Sequence, residues 1–439
     1  MVTALVYSRL DPAGVSIRSA IDDLIQIEGE EAWPLLSGGH LFYETEGRLI
    51  YERGLDRRVQ ADRIIFLSRH TSIRPEPVLT VHVTGNFREA CYGGEPEELA
   101  TADPPMMQAV LRNLIRYTPD GYRAAYEVTH HGPTDLNTPS FFVEIGSTEV
   151  QWRDVDAARA VALSVLMAEP ADTIPMIGFG GTHYAVRQTA IAAETRGAFG
   201  HIAHSREVAE LNPAMIQQMI KRSGAIAGYI DKKAVYGAGA DHICRLLKEA
   251  GLAVLTEGML REMADLSWET WCRASELAET VAVGSVLKNH GLRDGCDLTT
   301  VTIPEELITE ALRGHEHEFV SLLNSITPCI RITSEGRVAL STFIGYRENG
   351  SQLASDLITL CVQQITKHLL SVVEGDRLII RRDRFDPEKA RMLGVQAGSL
   401  FGRLANGQSV TVEGRVIKPE MVSSCDIQEI QIPGLERYT

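Results

Sequence analysis

The sequence contains no apolar run that approaches the roughly 18 residues needed to span a membrane, so we do not expect a membrane protein. Its seven cysteines are scattered, and no two of them form a C-x-x-C pair, so neither a disulfide framework nor a thiolate zinc knuckle is expected. Any bound metal would need histidine and carboxylate ligands. The N-terminus has neither a basic segment nor a small-residue cleavage site, which argues against secretion and predicts a cytoplasmic protein.

Common catalytic signatures are also missing. The chain has no G-x-S-x-G elbow, no H-E-x-x-H helix, and neither a G-x-G-x-x-G nor a P-loop motif, so serine hydrolases, zincins and NAD or ATP chemistry are poorly supported. The formal charge of −15 argues against nonspecific nucleic-acid binding through bulk charge, although a local basic groove is compatible with it. The chain does hold 13 histidines, and their placement is informative.

The length predicts two domains, because 439 residues exceed the size at which a single core stops growing. We place the boundary near residue 285, which gives domains at 1–285 and 286–439. In the first domain, apolar segments typical of strands alternate with helical patterns, and this predicts an α/β fold whose default site lies at strand ends. The second domain has the pattern of a smaller α+β fold.

Some elements can be predicted individually. Residues 3–8 have the pattern of a buried strand, and residues 104–117 that of a helix with proline at its start. Alternating residues on both sides of Glu46-Gly47 predict a hairpin. A further helical pattern is predicted to run from Pro213 to Lys233.

Four histidine-bearing segments occur where predicted strands end, and we expect them to form one cleft if their strands are neighbours. They are Ser68-Arg-His70, Val81-His-Val-Thr-Gly-Asn86, Thr129-His-His-Gly-Pro-Thr134 and Gly178-Phe-Gly-Gly-Thr-His-Tyr184. Glu144, on the strand after the histidine pair, could enter the cleft as a metal ligand or general base. The alternative is a buried Glu144 that pairs with an arginine or histidine of a neighbouring strand.

His130 and His131 are adjacent at the end of one predicted strand. Because successive side chains of a strand point to opposite faces, both rings should enter the cleft only if the Gly132-Pro133 turn re-aims the second. We therefore expect one histidine to take part in the chemistry and the other to support it. A structural histidine pair at a strand end is the alternative.

His201 and His204 form an H-x-x-H pair. On a helix, positions i and i+3 share a face, so the two rings could chelate one ion. Two histidines, a carboxylate and an open position for water would suit catalytic zinc. A structural or surface role for both histidines is the alternative.

The glycine-rich run from Gly178 to Gly181 follows a predicted strand and precedes a helical pattern. Its amides could therefore cradle a phosphate at a helix N-terminus. Arg187, one helical turn beyond His183, could hold the same phosphate. Alternatively, the glycines only permit a tight turn with positive φ.

Together these segments resemble the archaeal and plant-type D-aminoacyl-tRNA deacylases over roughly residues 1–280. The resemblance implies hydrolysis of the ester between a D-amino acid and tRNA, a zinc-dependent activity, and a three-layer αβα fold with a mixed sheet, similar to peptidyl-tRNA hydrolase and purine nucleoside phosphorylase. One departure is Val186, where the family usually has proline. The motifs that carry the resemblance are His82 with Thr84-Gly85-Asn86, Cys91-Tyr-Gly-Gly94, Glu127-Val-Thr-His-His-Gly-Pro-Thr134, Glu144-Ile-Gly-Ser-Thr-Glu149 with Trp152, Gly180-Gly-Thr-His-Tyr184 and Gly200-His201.

An activated ester needs only a nucleophilic water and a stabilised oxyanion, and zinc lowers the pKa of water to about 7. With one or two zinc ions, we expect His130, His183 and Glu144 around the metal or water. His131 and His82 would support them or hold a second ion. The expected contacts to the substrate or its oxyanion are Thr84, Asn86, Gly180, Gly181 and Arg187, and the expected contacts to the tRNA backbone are Lys221, Arg222, Lys232 and Lys233 on one predicted helix. A solvated helix face is the alternative for these four cations.

The C-terminal half contains a second, short resemblance. Phe385 to Thr411 is similar to a segment of the tRNA 3′-processing endonucleases of the metallo-β-lactamase fold, but their H-x-H-x-D-H metal motif is absent from the sequence. The resemblance therefore cannot confer nuclease activity. Because basic residues are concentrated there, we hypothesise a contact with tRNA near its acceptor end, and a structural unit with a charged surface is the alternative. These residues are Arg377, Arg381, Arg382, Arg384, Lys389, Arg391 and Arg403.

The sequence leaves three functional classes open. The leading hypothesis is a D-aminoacyl-tRNA deacylase that acts as a monomer with no protein partner. A metal-dependent hydrolase or nucleosidase of similar fold, acting on a small molecule, is the first rival. The second is a non-catalytic tRNA-binding protein whose histidines are structural.

Overall fold

The computed structural model describes residues 1–295 and 297–438, which form two compact units, Met1–Ala264 and the chain from Asp265 onward. The division lies earlier than the predicted boundary at residue 285. The reason is that the helix Trp268–Val281 packs against strands of the second unit. Each unit is described separately below.

The first unit alternates strands and helices along the chain. Its strands are β1 (Thr3–Ser8), β2 (His40–Thr45), β3 (Arg63–Thr71), β4 (Val78–His82), β5 (Arg123–Tyr126), β6 (Ser140–Ser147), β7 (Ile174–Phe179), β8 (Gly197–Ala203), β9 (Ala227–Ile230) and β10 (Ala253–Val254). Its helices are α1 (Pro12–Glu28), α2 (Pro34–Ser37), α3 (Leu55–Arg58), α4 (Pro104–Tyr117), α5 (Glu149–Trp152), α6 (Val155–Leu166), α7 (Val186–Glu194), α8 (Pro213–Ser223), α9 (Ala238–Glu249) and α10 (Glu257–Met263).

Two sheets organise this unit. The larger has the strand order β2-β1-β3-β6-β4-β5, and it is mixed because β4 runs antiparallel to β6 while the other neighbours are parallel. The smaller has the order β10-β9-β7-β8 and is parallel throughout. The predicted α/β class with a mixed sheet is confirmed.

Helix α4 illustrates how the sequence sets an element and its packing. The side chain of Asp103 caps the helix by accepting from the backbone N–H of Met106, and Pro104 occupies the first turn, where its missing donor costs nothing. One face buries Met107, Val110 and further apolar side chains against strands of both sheets. The helix has the predicted bounds.

Two predicted elements are wrong. Instead of forming a hairpin, β2 pairs in parallel with β1, and residues Leu49–Tyr51 form a 3-10 turn. The predicted helix from Pro213 to Lys233 ends at Ser223, because Gly224 adopts φ +56 and closes the helix with a left-handed cap. The apolar residues beyond it form the buried strand β9, which lies inside the smaller sheet.

The second unit is built mainly on antiparallel strands. They are β11 (Val286–His290), β12 (Leu298–Thr302), β13 (Cys329–Thr333), β14 (Thr342–Tyr346), β15 (Leu370–Glu374), β16 (Arg377–Phe385), β17 (Val410–Val412), β18 (Arg415–Ile417) and β19 (Ser423–Gln431). The helices are α11 (Trp268–Val281), α12 (Glu305–Leu312), α13 (Glu316–Leu323), α14 (Gly350–His368), α15 (Pro387–Met392) and α16 (Ser399–Ala405). The sheet orders are β11-β13-β14-β12, β15-β16-β19 and β17-β18.

Helices α12, α13 and α14 pack together over this second core, which includes Leu307, Phe319, Leu357 and Ile365. The α+β pattern predicted for the C-terminal half agrees with this architecture. In the ranges that the structure describes, no helix is both long enough and apolar enough to span a bilayer.

Candidate active site

The histidine pair lies on a segment that joins the two sheets of the first unit. After β5, the chain continues on one side along β4, where the N–H of Glu127 donates to Val81 O at 3.1 Å. On the other side, the N–H of Val128 donates to His183 O at 3.0 Å and the N–H of Thr129 to Ile202 O at 2.9 Å. Strand ends of both sheets therefore meet along residues 127–131.

Imidazole rings from all four predicted segments come together at this junction. The ring centroids of His82 and His130 are 4.5 Å apart, those of His130 and His183 are 4.9 Å apart, and those of His70 and His183 are 5.3 Å apart. The ring of His131 lies 4.9 Å from that of His82. The five histidines lie at or beyond the ends of four strands, β3, β4, β5 and β7, so the fold collects groups that are far apart in sequence.

Glu127 lies at the centre of these rings and was absent from the predicted site. Its Oε2 is 3.1 Å from His183 Nε2, 3.5 Å from His130 Nε2 and 3.8 Å from His82 Nδ1, while its Oε1 is 3.1 Å from His70 Nδ1. Burial alone raises the pKa of Glu127, but the imidazoles, His70 foremost, hold that pKa well below its ordinary value. Among the described residues, neither oxygen meets a donor at hydrogen-bond angles.

Glu144 contacts the same cluster through His70 of the neighbouring strand β3, which is the buried pairing that the alternative predicts. The Nδ1 of His70 is 3.6 Å from Glu144 Oε2, and its Nε2 is 3.1 Å from the Tyr184 hydroxyl. Although burial lowers the pKa of His70, Glu127 and Glu144 raise it to about 9. Burial raises the pKa of Glu144 to about 7, with Glu127 adding to that rise and His70 opposing it. The surroundings therefore shift the pKa values of the two carboxylates in opposite directions, a pattern typical of acid–base sites.

Strand alternation would point the rings of His130 and His131 to opposite faces, but the backbone conformation at His131 prevents this. His131 adopts φ +45, a left-handed conformation that costs a non-glycine residue about 1–2 kcal/mol. This conformation turns its ring to the same side as His130, so that His131 Nε2 lies 3.2 Å from His82 Nε2. Both histidines enter the cluster, with different neighbours.

The tautomers of the pair suit metal binding. The Nδ1 of His130 donates to Val128 O at 2.8 Å, and the Nδ1 of His131 donates to Gly132 O at 2.7 Å. Each Nε2 is then left with a lone pair, and a backbone carbonyl on the other ring nitrogen is the usual support of a metal-ligating histidine. Burial lowers the pKa of His130 to about 4, which keeps the ring neutral.

Three groups of donors in the cluster are compact enough to hold an ion. They are His82 with His130 and His131, His70 with Glu127 and His183, and His82 with Glu127 and Glu144. The buried Nδ1 of His82 and both oxygens of Glu127 have no hydrogen-bond partner within the described ranges. Unpartnered buried donors and acceptors of this kind fit a metal centre.

Asn86 and Thr84, expected at the substrate, stabilise the neighbouring loop. The Asn86 amide donates to Gly93 O at 2.9 Å and to Glu95 O at 3.1 Å. The Thr84 hydroxyl donates to Pro133 O and so anchors the turn after the histidine pair. Their hydrogen bonds support the shape of the cluster from outside it.

The glycine run is also engaged internally. Gly180 has φ +98 and donates its N–H to Ala203 O at 2.9 Å, and Gly181 has φ +111 and donates its N–H to the Ser205 hydroxyl at 3.0 Å. Neither amide is open to a phosphate or an oxyanion, so the tight-turn alternative describes these glycines. Arg187 pairs with Glu257 at 3.1 Å.

The prediction that His201 and His204 lie on one face of a helix is wrong. His201 lies in strand β8, because the apolar and small residues of this segment form a fully buried strand at the edge of the smaller sheet. Its Nε2 is 2.8 Å from Ala100 O, and its Nδ1 is 3.1 Å from the Thr129 hydroxyl. His204 lies beyond the strand and accepts from the N–H of Arg206. Neither belongs to a metal-capable group among the residues that the structure describes.

The four predicted tRNA-contacting cations do not share a helix. Lys221 and Arg222 lie in the last turn of α8, whereas Lys232 and Lys233 follow β9. Arg222 donates to Thr101 Oγ1 and to other groups of the first unit, so it has a structural role.

Many of the basic side chains of the C-terminal segment already have partners. Arg377 pairs with Glu374 and Glu429, and Arg384 pairs with Asp426. Lys389 donates to the Ser423 carbonyl. Arg382 pairs with Glu310 and donates to Gln428, Arg403 donates to the Ser409 carbonyl, and Arg391 lies over the ring of Phe401. A contact with tRNA phosphates would compete with these pairs.

The predicted cluster of His82, His130, His131, His183 and Glu144 is thus brought together, while the other predicted residues lie outside it. Sequence reasoning gave no role in the site to Glu127, His70 or Tyr184, although His70 and Tyr184 belong to segments that were expected to form the cleft. His70 had the same strand-end signal as the other histidines. Glu127 opens the most specific motif, three positions before His130, so the motif itself held the signal.

Comparison with known proteins identifies the family of the chain. Residues 57–255 match the family model described as D-aminoacyl-tRNA deacylase. The chain is 46% identical to the D-aminoacyl-tRNA deacylase of Methanoculleus marisnigri and 48% identical to that of Methanosphaerula palustris, each with full coverage of both chains.

A solved structure corresponds to part of the chain. AF0625, described as a conserved protein of unknown function, is 32% identical with a TM-score of 0.54, over 59% of this chain and 96% of its own. That share is close to the first unit, which ends at residue 264 of 439. With full-length relatives at this level of identity, the chain belongs to the D-aminoacyl-tRNA deacylase family.

Proposed function

We propose that this protein hydrolyses the ester bond between a D-amino acid and tRNA, releasing the free amino acid and the tRNA with its terminal ribose hydroxyl restored. Membership of the deacylase family supports the substrate. The observation that carries the chemistry is the buried Glu127 carboxylate, which has no hydrogen-bond donor in the described ranges although four imidazoles surround it. Such a site can transfer protons and stabilise a positive charge.

We further propose that His82, His130 and His131 hold one zinc ion. This set revises the expectation of His130, His183 and Glu144, because backbone carbonyls fix the Nδ1–H tautomers of His130 and His131 and leave the Nε2 atom of each ring as the one that can coordinate an ion. When bound, zinc supplies Lewis acidity, which polarises a carbonyl oxygen and lowers the pKa of water.

His183 is our candidate for the general base. Its imidazole is 40% exposed, so a water molecule and the ester can reach it, and its Nε2 faces Glu127 Oε2 at 3.1 Å. The ring would take a proton from the attacking water, and the Glu127 anion would stabilise the imidazolium that forms. The same proton would then pass to the ribose oxygen as the ester bond breaks.

The substrate would approach from the side of His183 and His130. Their side chains are 40% and 27% exposed, whereas those of His70, His82, Glu127 and Glu144 are almost fully buried. His70, held as an imidazolium between Glu127 and Glu144, would keep the Glu127 carboxylate in place without touching the substrate.

The finer fold assignment is part of the same proposal. We infer that the first unit has a three-layer αβα arrangement related to peptidyl-tRNA hydrolase and purine nucleoside phosphorylase. Its mixed six-stranded sheet, with α1 and α6 packed on each other and on β3 and β6, supports this relation. Superposition on members of those two families tests it.

Hydrolysis of D-Tyr-tRNA and L-Tyr-tRNA by the purified chain tests the function. We expect rapid release of D-tyrosine and much slower release of L-tyrosine. Equal rates on the two substrates would contradict chiral proofreading and favour a general esterase. Binding without hydrolysis would favour the non-catalytic alternative.

A further inference from the structure

A second group of side chains that can ligate a metal lies in the second unit, at the start of α13 and the end of α14. His315 immediately precedes α13, Glu318 lies in its first turn, and His368 is the last residue of α14. The Nε2 of His368 is 3.0 Å from Glu318 Oε2, and the rings of His315 and His368 are stacked with centroids 3.6 Å apart. One ligand atom from each of the three lies within 4.8 Å of the others.

Gln364 provides an independent indication that this group is incomplete. It lies one turn before His368 on α14 and is only 3% exposed. Neither atom of its amide has a hydrogen-bond partner in the part of the chain that the structure describes. Residues four apart on a helix share a face, so the amide lies on the side of α14 that carries His368. Buried amides are almost always partnered, so a missing ligand would account for it.

A simple ion pair explains only part of the cluster. The Nζ of Lys367 is 2.7 Å from Glu318 Oε1, which satisfies one carboxylate oxygen and leaves Oε2 to face His368. It does not account for the imidazole of His315, which stacks on His368, or for the amide of Gln364, which has no hydrogen-bond partner among the described residues.

We propose that the second unit binds one divalent transition-metal ion through His315, Glu318 and His368, with the amide oxygen of Gln364 as a further oxygen donor. Two imidazoles and a carboxylate suit zinc, and the amide oxygen would bring the number of protein ligands to the four of a structural site. The ion would connect α13 to α14 and stabilise the second unit. This site goes beyond the ester hydrolysis proposed for the first unit and shares no residue with it.

Zinc titration of the metal-free, full-length chain by calorimetry tests the proposal. The variants are a double substitution, His315→Ala with His368→Ala, and His317→Ala, a matched control because His317 is an exposed histidine on α13 outside the group. We expect wild type and His317→Ala to bind equal amounts of zinc and the double variant to bind one ion fewer per chain, with D-Tyr-tRNA hydrolysis unchanged. Equal stoichiometry in all three would overturn the site.

Single variants keep the test decisive if the double variant does not fold. Added zinc should raise the melting temperature of the wild type. The rise should be smaller in His315→Ala, because that variant lacks the site in the second unit. His317→Ala should show the same rise as the wild type. Gln364→Ala should weaken zinc binding at this site by about tenfold, as loss of a supporting partner does elsewhere. An unchanged rise in His315→Ala would show that the cluster is only an ion pair.

Discussion

Oε2 of Glu127 lies 3.1 Å from Nε2 of His183, and the two side chains differ in exposure: the carboxylate is fully buried and the imidazole is 40% exposed. A buried anion stabilises an imidazole that takes up a proton, without itself meeting the substrate. The pair therefore combines the His183 imidazole, which water can reach, with the Glu127 carboxylate charge, which water cannot reach.

Replacing Glu127 by Gln should slow D-Tyr-tRNA hydrolysis by roughly 100-fold or more, the usual contribution of general acid–base catalysis. The amide has the same shape but no charge to stabilise the imidazolium of His183. Single-turnover rates measure the effect. Glu149→Gln, an exposed carboxylate on α5, is the matched control. A variant that keeps wild-type rates would remove Glu127 from the mechanism.

Replacing His130 and His131 separately by Ala should give unequal losses. His131 contacts His82 and would act only through the metal, so excess zinc should restore part of the activity of His131→Ala. His130 also faces Glu127 and is partly exposed, so zinc should not restore His130→Ala. Rates measured across a zinc series test this, and matching losses with matching recovery would contradict the division between the two rings.

Removing metal should abolish hydrolysis. After dialysis against a chelator, we expect the chain to be inactive, and zinc to restore the rate where magnesium does not, because imidazole ligands prefer zinc to magnesium. Metal content per chain, measured beside the rate, identifies the ion. Full activity in a chain shown to be metal-free would defeat the zinc proposal.

His201 should make the first unit less stable in acid. Burial lowers the pKa of His201 to about 4, while an unfolded histidine titrates near 6.5. Between these values the unfolded chain binds the proton and the folded chain does not, so stability falls as pH falls from 6.5 towards 4, by at most about 3 kcal/mol. His201→Gln should flatten this dependence in melting temperatures measured between pH 4.5 and 7.5, whereas exposed His317→Gln should leave it unchanged. Parallel curves for wild type and His201→Gln would refute the assignment.

A chain of residues 1–264 should fold and hydrolyse D-Tyr-tRNA. Every residue of the proposed site lies in the first unit, and AF0625 spans a similar share of this chain. If basic side chains of the second unit contact tRNA, its removal should lower the salt dependence of tRNA affinity, since each phosphate contact contributes to that slope. An unchanged salt dependence would mean that these basic side chains do not contact tRNA and serve only in ion pairs with neighbouring acidic residues.

The sequence by itself determined the elements that depend on local rules. Apolar periodicity and a proline start fix α4 between Pro104 and Tyr117, and strand-end histidines mark the segments of the cluster. Only the tertiary structure decided which polar groups remain available for chemistry. Pairing with Ala203 and Ser205 engages the amides of Gly180 and Gly181, and burial in β8 gives His201 two neutral partners. Hydrogen bonds and burial of this kind depend on residues distant in sequence, so local patterns do not encode them. The motif that Glu127 opens marks this residue in the sequence, but Glu127 becomes the centre of the site only when two sheets meet around it.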